Sequence, residues 1–521
     1  METKGRRSQA IFTLALTVIC FLITFLTDRS MFIFPSAADE RYRQALTDYI
    51  ICKCAVFVIL LVVFWLISVL IFTKGDQKEG LTRVLKCAAL YLPVVIAVLV
   101  IKLPQGFLTN DEYAISNDAL NLIHDTWFNY LTVYYYIISY MLIPVPAGPI
   151  ITKVIIQVFC AGYSIFRTGR YLGKKGGAFM YVLFLLYPVI AYTTSAHRLP
   201  IYFLIYLTVF EKLLFDRLEG EKGDLDMKGG TLWTSAGLLL LAGAVLTQWR
   251  TEGIYLLILL PILIFMAYPA LRTGRNMIIV IAVYGLLQYL IGIPQGLTSA
   301  GLSDAANDRM KPFYAYTITN MYRNGLDRTA NAKDLEAVDG YLSVDAIERI
   351  NEHYVDINYE DVLILIDESF EGVRKDASYE QYVNFTDAVK NMIINNPGVF
   401  LRTRWGAFCY SALPYHMTFS AGSLRELLSS ALSVVKTVSY NLFIPLGFVL
   451  AGCIYCLIAR RWYSFFVAGG LAAHWAIVFI LAPASYFKYY FPVYIMAYFY
   501  IILLIVWAFA KRRNEAVRPV I

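Results

Sequence analysis

Asp111 and Glu112 stand side by side in LTNDEY, inside a stretch, 103–152, that holds no Lys or Arg. A carboxylate so placed can take the proton from an attacking hydroxyl while a new bond forms. A phosphate leaving on a lipid needs no proton, but it does need cations around it. Cations of that kind stand at the ends of apolar runs: His197 and Arg198 in SAHRLP, Arg250 in TQWRTEG, and Lys488 in YFKYYFP. Snorkelling to lipid headgroups is the bland account of each. The acidic pair has a structural account as well, because TNDE fits a capping box with Thr109 as cap and Glu112 three residues on. Asp111, Asp118 and Asp125 are spaced by seven and share one face if that helix continues.

The elements that must position these residues are membrane spans. Hydrophobic residues make up 59% of the chain and charged residues 16%, and mean hydropathy is +0.58. A soluble chain carries about a quarter charged residues. Apolar runs long enough to cross a bilayer must be helical, because nothing in lipid satisfies a bare backbone. The expected fold is all-α and polytopic, with about twelve spans: 10–27, 50–72, 84–104, 149–166, 177–196, 199–216, 231–248, 251–270, 276–293, 437–459, 463–482 and 487–510. Basic clusters such as KGRR, FRTGRYLGKK, LRTGR and KRR all fall on one side if the amino terminus is cytoplasmic. That bias accounts for the pI near 8.8 without nucleic acid. SAAD at 36–39 is a poor cleavage site, so the first run reads as an uncleaved anchor. The run 129–144 breaks the topology if counted, so it is expected as a helix in the outer interface, with Tyr134, Tyr135, Tyr136 and Tyr140 as belt residues. Span centres read as mostly clean of charge. The eight cysteines read as small packing residues, including Cys52-x-Cys54 and Cys453-x-x-Cys456.

The expected organisation is extra N-terminal helices at 1–83, a core at 84–293 with its first outer loop at 105–148, a segment leaving the membrane at 294–436, and closing helices at 437–521. The middle of the third part, 301–390, is acidic and alternates helical stretches, which predicts a small helical extracytoplasmic cap. It ends in NNPGVFLRTRWGAFCYSALP, read as an amphipathic interfacial helix with Arg402 and Arg404 as basic heads. No P-loop, dinucleotide motif or metal-ligand tract is present.

These motifs in this order resemble the glycosyltransferase C (GT-C) superfamily, above all its polyprenol-phosphate-dependent protein-mannosyltransferase and aminoarabinose-transferase type, and within it an uncharacterised bacterial branch. TNDEY resembles the Asp-Glu signature of that family's first outer loop. YPVIAYTTSAHRLPIYFLIYLTVFEKL resembles a pair of core spans with a tight outer turn, and TQWRTEG the Arg-x-Glu-Gly unit. NNPGVFLRTRWGAF resembles the juxtamembrane helix, and FKYYFPVYIMAYFYIILL the closing span, with Lys488 where Arg is commoner. The resemblance covers 84–510. Two apolar runs precede it, and the turn at 197–200 lacks the carboxylate that many relatives carry there.

The resemblance implies a GT-C-like bundle in a bacterial plasma membrane, termini inside, working on the extracytoplasmic face. It implies inverting transfer of a sugar from a polyprenyl-phosphate donor, of the undecaprenyl type, to a cell-envelope glycan, lipid or protein. No cofactor is implied, although some members use a divalent cation. Carried over residue by residue, Asp111 is the general base and Glu112 its support. Arg250 and Lys488 hold the donor phosphate, assisted by His197, Arg198, Arg402 and Arg404. Asp118, His124, Glu252 and Tyr489 face the acceptor or sugar. Two other classes compete: a lipid-linked oligosaccharide transporter or flippase, which needs charges inside the spans and internal repeats, and a polysaccharide polymerase or ligase, which needs Arg and His in its large loop. A scaffold whose acidic cap binds a partner is the third alternative.

Overall fold

Our computed structural model describes residues 2–102, 110–124, 128–222, 229–299, 310–353, 365–366, 371–420 and 422–512. Among them the chain is all-helical, apart from an isolated antiparallel bridge between Leu342 and Val373. Nine helical stretches among the described residues are long and apolar enough to cross a membrane: Arg7–Met31, Tyr42–Phe72, Asp76–Ile101, Gly148–Leu185, Gly229–Trp249, Gly274–Gly296, Leu424–Ile458, Trp462–Leu481 and Phe487–Lys511.

Three expected spans fall outside these nine in whole or in part. The run 177–196 is broken. Its helix, α6 (Gly148–Phe179), kinks at Gly173, whose φ of +82° lies in the left-handed region. Two short helices follow, α7 (Tyr181–Leu185) and α8 (Tyr187–Thr193), and Pro188 opens the second. The run 199–216 is a long helix, α9 (Leu199–Lys222), but Glu211, Lys212, Asp216, Arg217 and Glu219 load its second half with charge. The run 251–270 opens with a 3-10 turn, Thr251–Gly253. It continues as the twelve-residue α11 (Leu256–Ala267). At 1.5 Å per residue α11 is about 18 Å long, short of a bilayer core of about 30 Å.

The chain divides into two compact units. The first contains Met1–Thr298, Ile454–Val467 and Ile495–Ile521. In it α1 (Glu2–Met31) pairs with α2 (Tyr42–Phe72), and α3 (Asp76–Lys102) packs along α6. The expected boundary at 83/84 falls inside α3. Gly162 permits the close approach of α3 to α6, because a Cβ there would lie 2.7 Å from the Val84 carbonyl oxygen. The helices α4 (Asn110–Leu120) and α5 (Tyr130–Leu142) pack against each other, and α5 also packs on α2 and α6. α10 (Gly229–Trp249) packs against α11 and α9, and α12 (Gly274–Ser299) follows.

One expectation about this unit is corrected. The tyrosines of α5 do not form a belt. Tyr134, Tyr136 and Tyr140 are buried, and their hydroxyls bond Asp48, the Ala196 carbonyl and Ser116 at 2.6, 2.7 and 2.6 Å. Packed on several sides by other helices, a tyrosine finds polar partners inside the protein rather than at headgroups. Charge does stand near the ends of two spans. α2 buries Lys53 against Asp28 of α1, with the Lys53 ammonium also donating to Thr24 at 2.6 Å and Tyr49 donating to Asp28 at 2.6 Å. Each charge is tolerated because its partner is beside it.

The second unit contains Ser299–Cys453 and Ala468–Tyr494. Short helices α13 (Lys311–Arg323), α14 (Ala332–Asp339), α15 (Val344–His353), α16 (Tyr379–Asn395) and α17 (Pro397–Ala412) gather around Tyr316, Met321, Val338, Ile347, Phe385 and Met392. α16 starts on a capping box of Ser378 and Gln381. α18 (Leu424–Ser439) and α19 (Phe443–Ile458) are separate helices, and Asn441 accepts the Phe443 amide where α19 begins. α20 (Trp462–Leu481) and α21 (Phe491–Arg512) close the chain.

Candidate functional site

The acidic pair opens α4. Asp111 and Glu112 occupy its first turn, where the unsatisfied amides favour negative charge. Thr109, the expected cap, lies outside the described residues, and so does Asp125. The helix stops at Leu120, and Leu122 turns the chain with a φ of +54°. Only Asp111 and Asp118 of the spaced-by-seven set therefore share this helix.

The two neighbours face different surroundings. Glu112 is 1% exposed. Its Oε1 accepts the backbone amide of Arg198 at 3.4 Å and lies 3.9 Å from His197 Nδ1. Asp111 is half-exposed, and its Oδ2 lies 3.2 Å from Arg198 Nη1. The Arg198 guanidinium also lies over the Phe128 ring, 4.7 Å from its centroid. The pair thus clasps the turn between α8 and α9, bringing Asp111, Glu112, His197 and Arg198 into one cluster.

That turn is held from its carbonyl side too. Lys153, in the second turn of α6, is buried and donates to the carbonyls of Ser195 and His197, while Tyr136 donates to the carbonyl between them. Burial, reinforced by the nearby Glu112 carboxylate, keeps the Tyr136 hydroxyl protonated far above the ordinary phenol range.

One helical turn beyond Arg198, Tyr202 connects this cluster to a second ion pair. Arg250 stands 5.9 Å over the Tyr202 ring. It grips Glu252 with two donors, Nη2 to Oε1 at 2.5 Å and Nε to Oε2 at 3.2 Å. This is the fork geometry by which a guanidinium takes a carboxylate or a phosphate. Gly253 is required here, since a Cβ would meet the Leu246 carbonyl at 2.8 Å and the Tyr202 hydroxyl at 2.9 Å. Just before Arg250, Gln248 bonds Gln288, and Trp249 donates to Thr132 at 2.9 Å.

The other expected site residues are placed differently. Asp118 is half-buried in α4, and its carbonyl accepts the Ile123 amide. His124 is buried, with Nδ1 2.6 Å from Asp48 of α2 and Gln44 close to its ring. In the second unit Lys488 lies over Tyr486 and Tyr489 at 4.6 and 5.8 Å, and the Tyr489 carbonyl lies 3.1 Å from His474. Arg402 and Arg404 do not act as paired surface heads. Residues two apart on a helix point about 200° away from each other. Arg402 is exposed and reaches the Asn324 carbonyl at 3.4 Å, while Arg404 is buried. Arg404 donates to the carbonyls of Phe479, Val478 and Ala482 at 2.5, 3.4 and 2.9 Å, which are last-turn oxygens of α20 and the one just beyond. Burial draws its guanidinium below the usual range, but arginine keeps its charge there.

Sequence reasoning missed Lys153 and Asp48, and it gave Tyr136 a membrane-belt role in place of its bond to the Ala196 carbonyl. A single Lys in the opening turns of an otherwise apolar span is the signal that could have marked Lys153. Among the described residues no group of three or more His, Cys, Asp or Glu could hold a metal ion.

The long apolar helices among the described residues fit an integral multi-pass membrane protein. No family model, curated protein or solved structure matches it.

Proposed function

We propose that the chain is a membrane glycosyltransferase that moves a sugar from a polyprenyl-phosphate donor to a cell-envelope acceptor on the extracytoplasmic face. The observation that supports this best is the half-exposed Asp111 beside Arg198 at the start of α9, with Arg250 over the ring of Tyr202 one helical turn beyond Arg198. In the proposed reaction Asp111 takes the proton of an acceptor hydroxyl. The oxygen attacks the anomeric carbon from the side opposite the phosphate, the carbon–oxygen bond to phosphate breaks, and its electron pair leaves with the lipid phosphate. Inversion follows from that geometry. Arg198 and Arg250 hold the leaving charge, which needs no protonation. Glu112 is too buried to meet a substrate; it orients the His197–Arg198 turn.

The test compares lipid extracts from cells carrying the native chain and Asp111→Asn, read by mass spectrometry. A glycosylated polyprenyl phosphate should accumulate only in the variant. Matching extracts at equal protein levels would refute the role of Asp111.

The buried Lys53–Asp28 pair inside α1 and α2 favours one second reading, a lipid-linked oligosaccharide transporter, because charge within spans marks transport paths. That reading expects Lys53→Gln to stop movement of a labelled lipid-linked sugar across proteoliposomes, and Asp111→Asn to leave it intact.

A further inference from the structure

We propose that Lys153 and Tyr136 are positioning residues that preset the His197–Arg198 turn to receive a lipid phosphate; this rests on the transferase reading. Three successive carbonyls, those of Ser195, Ala196 and His197, are each taken by a side chain donor. Lys153 supplies two of these bonds, the one to His197 at 2.6 Å, and Tyr136 supplies the middle one at 2.7 Å. On the opposite side Glu112 accepts the next amide, that of Arg198. The turn is therefore fixed from α5 and α6 on its carbonyl side and from α4 on its amide side.

A connector between two helices does not need this. Its polar groups can be met by water or by short local side chains. Placing an ammonium at 1% exposure is unfavourable unless its donors are used. Here they are used on the two residues that flank Ala196, so the backbone of Arg198 is set before any ligand arrives. A preorganised donor loses less on binding than one that must be ordered at that moment. The ammonium itself is too buried to touch a ligand, so its effect must pass through Arg198 and His197.

The test uses the full chain in nanodiscs, with farnesyl phosphate as the probe and inorganic phosphate as a control for headgroup binding alone. Binding is measured by titration calorimetry, alongside melting temperature and hydrogen exchange of the 194–199 backbone. Lys153→Met and Tyr136→Phe should weaken farnesyl phosphate binding by about tenfold or more and speed exchange in the turn. Lys153→Arg should recover part of both. Tyr136→Phe is nearly isosteric, so it keeps the inference testable if Lys153→Met fails to fold. Unchanged affinity with a lowered melting temperature would reduce both residues to fold staples and overturn the proposal. If the native chain does not bind farnesyl phosphate, the transferase reading fails on its own terms. Exchange then still decides: an unchanged turn in Tyr136→Phe refutes the clasp.

Discussion

Asp111 and Arg198 are joined by a 3.2 Å ion pair, yet the aspartate side chain is 42% exposed and the arginine 23%. Its neighbour Glu112 binds the same turn from within the protein. Adjacent carboxylates therefore differ in what their loss should do.

Asp111→Asn should leave stability almost unchanged, because a solvent-screened pair of this kind contributes about 0–1 kcal/mol. Glu112→Gln should cost about 1–3 kcal/mol, as a buried acceptor is altered. Thermal unfolding in detergent, followed by intrinsic fluorescence, separates the two. Equal losses would contradict the difference in burial.

Glu252 occupies the fork of Arg250 that a phosphate oxygen pair would use. Glu252→Gln should tighten binding of farnesyl phosphate and make it more sensitive to salt, since an uncancelled guanidinium charge is then available. Titration at low and high salt checks this, and weaker binding in the variant would show that the carboxylate holds Arg250 in its working position.

Lys53 and Asp28 are both buried in the α1–α2 hairpin. Lys53→Met alone should destabilise by about 3–5 kcal/mol, because Asp28 is left without its counter-charge. The double variant Lys53→Met, Asp28→Asn should recover most of that loss. Melting temperatures of the single and double variants measure the coupling, and additive losses would argue against a direct pair.

Arg404 closes the end of α20 by binding three carbonyls. Arg404→Met should cost on the order of 3 kcal/mol, and Arg404→Lys should rescue little, since a single ammonium cannot span the same oxygens as a planar fork. Limited proteolysis of the 478–490 region gives the readout. Native-like resistance in Arg404→Lys would mean that charge matters more than shape.

The sequence alone determined which runs are apolar, hence that the chain is helical and built to sit in lipid, and it marked Asp111, Glu112, Arg198 and Arg250 by residue type and position. These are local properties: hydropathy over a window and charge beside an apolar run do not depend on what packs where. The helical stretches within 301–390 were legible for the same reason, from acidic, alternating composition.

Tertiary structure decided the pairings. Glu112 meets Arg198 across 86 positions of sequence, and no local pattern links them. In the sequence Lys153 only marks the end of a stretch without Lys or Arg; α6 places it beneath the 195–197 turn. The tyrosines of α5 suited a membrane belt by composition, but packing against α2, α4 and α6 turned them inward. Arg402 and Arg404 looked alike in the sequence, and helix rotation sent one to the surface and the other to the carbonyls of α20. Hydropathy reports how much a segment prefers to leave water; it carries no record of which buried donor will find which acceptor, because that depends on the packing of segments far apart in the chain.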